Sequence, residues 1–172
     1  STASSATFIF GGVPDYTDEA PRVVGAISTG NTTVVIQFSR PMSDSVLALT
    51  NYFIVQQNLN PEVGALPLVT RCVGGPNDGT ICAGDADCNG GLCEGPRFLG
   101  ANRLSVELKT LSQNEVTYAI TAINVTDVNG SPIREPILTP GGIIVDPRTA
   151  LFPGSPPSGG SFADTDGDGI TD

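Results

Sequence analysis

The last nine residues, Asp164-Thr165-Asp166-Gly167-Asp168-Gly169-Ile170-Thr171-Asp172, carry the most specific chemistry in the chain. Calcium requires roughly six to eight hard oxygen ligands, and aspartates at the first, third and fifth positions of a loop supply them. Asp164, Asp166 and Asp168 hold those positions, Gly169 permits the sharp turn, Ile170 offers its carbonyl, and Asp172 binds directly or through water. The bidentate carboxylate that closes such loops is not in the run. A ligand from further along the chain, from elsewhere in it or from a neighbouring subunit has to complete the site. The competing reading is a solvated acidic tail.

Cys72, Cys82, Cys88 and Cys93 form the second group, separated by nine, five and four residues. A four-thiolate zinc site favours closely spaced cysteine pairs at both ends, which this spacing lacks, and the chain contains no histidine for a mixed site. Two disulfides are expected, and with them an oxidising, extracytoplasmic compartment. Four cysteines permit three pairings, and the sequence does not choose among them. The surrounding segment, residues 72–95, is rich in Gly, Asp and Asn and too poor in apolar residues for a core of its own, so the bridges must hold it.

The net charge is −10, with Lys109 and seven arginines as the basic residues. No basic stripe is present to neutralise phosphates, so nucleic acid is not an expected partner. Without histidine, with oxidised cysteines and with carboxylates clustered as metal ligands, no triad or separated acid/base pair can be drawn, and no enzyme is expected. No apolar run is long enough to span a bilayer. The sequence opens at Ser1 with no charged leader, as in a secreted protein after processing.

The elements that would position these groups read as strands. Gly, Pro and β-branched residues abound, and helix formers are scarce. β-rich runs occur at residues 22–28, 32–39, 51–56, 63–71, 103–108, 116–125 and 143–145, about seven in all, with Val34, Ile36 and Phe38 on one core-facing side and Leu104, Val106 and Leu108 on another. A turn is expected at Asn129-Gly130. Ahead of the first run, Thr7, Phe8, Ile9 and Phe10 form a short detached strand, cut off by Gly11-Gly12. The expected division is an N-terminal extension, 1–20, a β-sandwich, 21–150, with its cysteine insert at 72–95, and a linker with the acidic motif, 151–172.

Several pieces, in order, resemble the bacterial immunoglobulin-like domains of S-layer and cell-surface proteins: Pro21-Arg22-Val23-Val24, Phe38-Ser39-Arg40-Pro41-Met42, Asn51-Tyr52-Phe53-Ile54-Val55, Thr117-Tyr118-Ala119-Ile120-Thr121 and Val125-Thr126-Asp127-Val128-Asn129-Gly130. The resemblance implies an all-β, Ig-like sandwich of about seven strands without an active site, and the cysteine insert departs from it. Tyr118 fits either a tyrosine corner, its hydroxyl bonded back to nearby backbone, or one more half-buried aromatic. The acidic run resembles thrombospondin type 3 and dockerin-like calcium repeats. A bacterial protein that is secreted, at the cell surface or extracellular, is thereby implied.

Two non-catalytic roles follow as expectations. One is a subunit of a surface filament or layer, a homo-oligomer in which residues 7–10 add a strand to a neighbour and calcium binds the other end. The other is a monomeric adhesive or spacer module, stiffened by calcium against neighbouring domains of a larger surface protein. The apolar N-terminal segment could equally serve as a first strand of its own domain, and the cysteine insert as either a recognition tip or a tolerated surface insertion.

Overall fold

The computed structural model of the chain describes residues 20–157. Twelve strands are present there: β1 (Val23–Gly30), β2 (Thr33–Phe38), β3 (Tyr52–Gln56), β4 (Leu68–Val69), β5 (Arg71–Val73), β6 (Leu92–Glu94), β7 (Arg97–Phe98), β8 (Ser105–Thr110), β9 (Thr117–Ala122), β10 (Ile137–Leu138), β11 (Ile144–Val145) and β12 (Thr149–Pro153). One helical turn, α1 (Pro61–Gly64), lies between β3 and β4. Among the described residues no helix is long and apolar enough to cross a membrane.

Two antiparallel sheets face each other. In the first, β8 pairs with β2, which pairs with β1, while β4 and β7 share the far edge of β8. The second runs β12-β9-β3. Side chains alternate across each strand, so one parity meets the opposing sheet. Val34 and Ile36 of β2 lie opposite Leu108 and Val106 of β8, and Ile54 of β3 lies opposite Ile120 of β9. All six are buried in one cluster with Phe38, Tyr52, Tyr118 and Phe152, which Met42, Val46 and Val125 extend. The all-β, two-layer expectation holds, as does the inward parity of Val34, Ile36 and Phe38.

Two expected runs differ in outcome, and one strand lies outside all of them. Residues 63–71 begin as a helical turn, because Asn60 accepts a hydrogen bond from the Val63 N–H (3.1 Å) and Pro61 occupies the first helical position; only Leu68 and Val69 go on to pair with β8. The run at 143–145 supplies β11, which pairs with β10 as a separate ribbon instead of joining either sheet. The edge strand beside β9 is β12, which carries the sandwich beyond residue 150 and buries Phe152 completely.

The path of the chain sets two poles. At one, the Val23 N–H donates to the Pro147 carbonyl (2.7 Å); at the other, Ser28 Oγ bonds Ser155 Oγ (2.7 Å). β1 and the β12 segment therefore lie side by side and parallel. The chain comes in at the first pole, through Ala20 and Pro21, and leaves the second at Ser155, roughly 20 Å along the strands.

Candidate functional site: the cysteine lobe and the two poles

The cysteine segment is spliced into one edge strand. Val69 of β4 pairs with Lys109 and Arg97 of β7 pairs with Glu107, so the two short strands flank a single residue of β8, Leu108, while residues 70–96 loop out between them. They read as one strand interrupted in register. The excursion is closed by the β5–β6 pair, in which Cys72 faces Cys93. Neither bonds the other: the disulfides join Cys72 to Cys88 (Cα–Cα 5.3 Å) and Cys82 to Cys93 (Cα–Cα 5.9 Å). Each bridge encloses one half of the other. The sulfurs of Cys72, Cys82 and Cys88 lie within 4.8 Å of one another, and these buried cysteines form a core separate from that of the sandwich.

Three of the lobe's carboxylates bond backbone. Asp78 accepts from the Gly74 N–H (2.7 Å), Asp85 from Cys93 (2.7 Å) and Asp87 from Ala83 (2.8 Å). Such bonds fix a coreless loop by satisfying its backbone donors locally. At Gly91 a Cβ would lie 2.1 Å from the Gly74 carbonyl oxygen, so the close approach of the two loop arms requires glycine. Arg71 joins lobe to sandwich, donating to Gly79 O (2.8 Å) and Thr110 O (2.9 Å). Val73, Ile81 and Leu92 are exposed on the lobe.

Two sequence pieces distant along the chain meet at the first pole. Asp127, buried, accepts through Oδ1 from the Asn129 and Ser131 N–H groups (both 2.9 Å), and its Oδ2 lies 3.2 Å from Arg40 Nε. The expected turn at Asn129-Gly130 is thus built on the Asp127 side chain. Ser43 Oγ donates to the Thr126 carbonyl (2.9 Å), the Thr126 N–H donates to Ser45 Oγ (2.9 Å), and the Val128 N–H to Pro41 O (3.0 Å). Residues 40–45 and 125–131 are laced together over the buried Met42. Arg103 adds a third strand of contacts: its Nε donates to Met42 O (2.7 Å), it pairs with Asp44, and its guanidinium lies 4.2 Å from the Phe98 ring centre.

At the opposite pole a buried amide holds the outgoing chain. Gln113, fully buried, donates from Nε2 to Thr33 O (3.2 Å), while its Oε1 accepts from Ser28 Oγ (2.8 Å) and the Ser155 N–H (2.9 Å). Asn31 Nδ2 donates to the Gln113 and Ser155 carbonyls (3.1 and 2.8 Å). Just before it, the Gly154 N–H donates to Val116 O (2.8 Å), and a Cβ there would lie 2.6 Å from the Tyr118 ring. Tyr118 stacks on Phe152 with ring centres 5.5 Å apart and accepts from the Asn114 N–H (2.8 Å), the backward bond of a tyrosine corner. Sequence reasoning missed Gln113; only its place between a strand end and a strand start hinted at it.

Tyr52 is the other anchored phenol. It donates to Val46 O (2.6 Å), and burial drives its pKa far above the usual tyrosine value. Glu107 and Asp146 behave oppositely. Burial alone would raise Glu107, but bonds and charge from Arg97 and Lys109 outweigh it and hold the carboxyl below the usual range. At Asp146 burial likewise opposes, and the Arg148 side chain and N–H with the Thr149 hydroxyl prevail, lowering it.

The expected calcium ligands Asp164, Asp166, Asp168, Ile170 and Asp172 and the expected assembly strand Thr7, Phe8, Ile9 and Phe10 lie outside the described residues. What the fold supplies is their anchorage: Ala20 at one pole, Ser155 at the other.

No protein-family model matches the chain, and no curated protein matches it. Among solved structures it is similar to the N-terminal part of the bacterial S-layer protein SbsC, with a TM-score of 0.51 and 10% identity over 81% of this chain. The chain spans 24% of that structure. Domains 1–6 of surface layer protein SbsC give 0.47 at 11% identity, covering 79% of this chain and 14% of that one, and rSbsC(31-844) gives 0.48 at 11% with the same coverage. At such identity the likeness to the first is one of fold.

Proposed function

We propose that this chain is a non-catalytic structural module of a bacterial extracellular surface assembly, joined to neighbours at its two poles. The observation that carries the reading is the polarity of the path: the chain comes in at Ala20, runs the length of the sandwich and is tied down at Ser155 by buried Gln113. A module with its ends at opposite poles transmits position along its axis. The fold's likeness to part of an S-layer protein and a lobe held by two disulfides support a place outside the cell.

In this reading the joints are chemically different. At the first pole, Thr7, Phe8, Ile9 and Phe10 add a strand to a neighbouring copy, satisfying edge N–H and C=O groups and burying two phenyl rings. At the second, Asp164, Asp166, Asp168, the Ile170 carbonyl and Asp172 hold calcium, with a closing ligand from a neighbour. A second reading, a monomeric spacer or adhesive module of a longer surface protein stiffened by calcium, is favoured by the small share of the similar structure that this chain spans.

Light-scattering mass in calcium and in chelator, for the chain and for a form lacking residues 1–11, separates the two. Association that grows with calcium and falls when residues 1–11 are removed supports the assembly subunit. A monomer in every condition overturns it in favour of the spacer.

A further inference from the structure

We infer that the β10–β11 ribbon is the acceptor for the Thr7 to Phe10 strand of a second copy, and that the exchange is mutual, pairing two chains about a twofold axis at the first pole. This rests on the strand-addition reading above and names its partner surface.

The ribbon gathers five exposed large aliphatic residues within one hairpin. Ile137, Leu138, Ile143 and Ile144 are 60, 70, 67 and 69% exposed, and Val145 46%. Ile137 lies opposite Val145 and Leu138 opposite Ile144, so both faces of the ribbon are aliphatic. A two-stranded ribbon is marginal in water, and a third strand stabilises it. An incoming strand must therefore be apolar at both parities. Phe8 and Phe10 share one parity, and Ile9 takes the other. In a chain of net charge −10, neither residues 1–14 nor residues 136–145 contain a charged side chain, so the two segments meet without repulsion or buried charge.

The ribbon is held ready. Its tip is closed by Thr139 N–H to Ile143 O (2.8 Å), and at its foot Arg148 bridges Glu135 (3.3 Å) and Asp146 (2.9 Å). A cleft of about 350 Å³ beside that foot is lined by Ala20, Pro21, Ile137 and Val145 among others. Ala20 and Pro21, where the described chain begins, thus lie at the base of the ribbon. Residues 11–19 reach at most about 30 Å when extended, enough to meet the ribbon of a copy that faces this one pole to pole. Because the described chain begins at the pole that carries the ribbon, each copy can both give and receive there, and the contact closes on itself. Growth beyond the pair then depends on the calcium-binding pole.

The test uses three forms of the chain: the parent, a form lacking residues 1–11, and the double variant Leu138→Lys with Ile144→Lys, both positions being exposed and outside the core. Mass is measured by sedimentation in chelator, with unfolding midpoints as the check on folding. The expected result is a dimeric parent, two monomeric variants with parental midpoints, and recovery of a dimer on mixing the two, since one retains the acceptor and the other the donor. If the truncated form is monomeric while the lysine variant stays dimeric, the acceptor lies elsewhere: this inference fails and strand addition survives. If the lysine variant dissociates and the truncated form does not, ribbons pair directly and both ideas fail. A monomeric parent whose amides at 137–145 lose hydrogen-exchange protection on truncation shows the segment on its own ribbon, which overturns the exchange between copies.

Discussion

Arg40 and Asp127, 87 positions apart in the sequence, stand 3.2 Å from each other at one end of the sandwich, with the Asp127 side chain 1% exposed. The contact is ionic rather than an aligned hydrogen bond, since neither Arg40 Nε nor Asp127 Oδ2 has a bond of good geometry. The other carboxylate oxygen holds the turn. One buried charge therefore fastens a loop to itself and to the segment after β2.

Replacing Asp127 by alanine leaves two partly buried N–H groups without their acceptor and removes an ionic contact of Arg40. A loss of about 2–4 kcal/mol in unfolding free energy is expected. Asp127→Asn keeps an acceptor oxygen for the turn and should lose clearly less. Urea unfolding of the two variants reads the difference; equal losses would show that the ion pair, not the turn, dominates.

Gln113→Ala should cost about 2–3 kcal/mol, because the Ser28 hydroxyl and Ser155 N–H lose a shared buried acceptor. Its signature is local as well as global. Amide exchange should accelerate at Ser155 and at the β1–β2 turn before it does in β8.

The lobe should be removable. A chain lacking residues 71–96 places Thr70 opposite Leu108 with the pairing of Val69 and Arg97 unchanged, and it should unfold cooperatively within about 2 kcal/mol of the parent. Reduction of the intact chain should likewise expose amides 71–94 to exchange while β2 and β8 stay protected. A sandwich that melts on reduction would show that the two cores are one cooperative unit.

Acid should weaken the fold through Glu107 and Asp146. Both carboxyls are lowered in the folded state, so their contribution is complete above the ordinary carboxylate values and is lost as pH falls through the lower folded ones. Stability should be level between about pH 6 and 5 and decline below about pH 4. The double variant Glu107→Gln with Asp146→Asn should show a shallower acid decline in its denaturation midpoint; an unchanged slope would place the acid sensitivity elsewhere.

Much of the layered body is legible in single residues. Val34, Ile36 and Phe38 share one parity of a β-rich run, and that parity has one stable use, a strand face in a core. The cysteine spacing, with no histidine, likewise marks a disulfide-held insert. The run at 63–71 misleads because apolar content outweighs the Asn60-Pro61 start signal of a helical turn. β12 hides between Pro147 and Pro153, where composition resembles a linker, although Phe152 fills the core.

What the sequence determines by itself is local: which residues extend, which parity turns inward, where polar turns interrupt, and that four cysteines must staple a segment too polar to pack. Only the tertiary structure decides partners. Cys72 bonds Cys88 although it faces Cys93, β11 leaves the sandwich for β10, and Gln113 becomes a buried clamp on Ser155. The physical reason is range: side-chain periodicity follows from the geometry of one strand, whereas pairing depends on the combined packing of segments far apart in the chain, which no local pattern encodes.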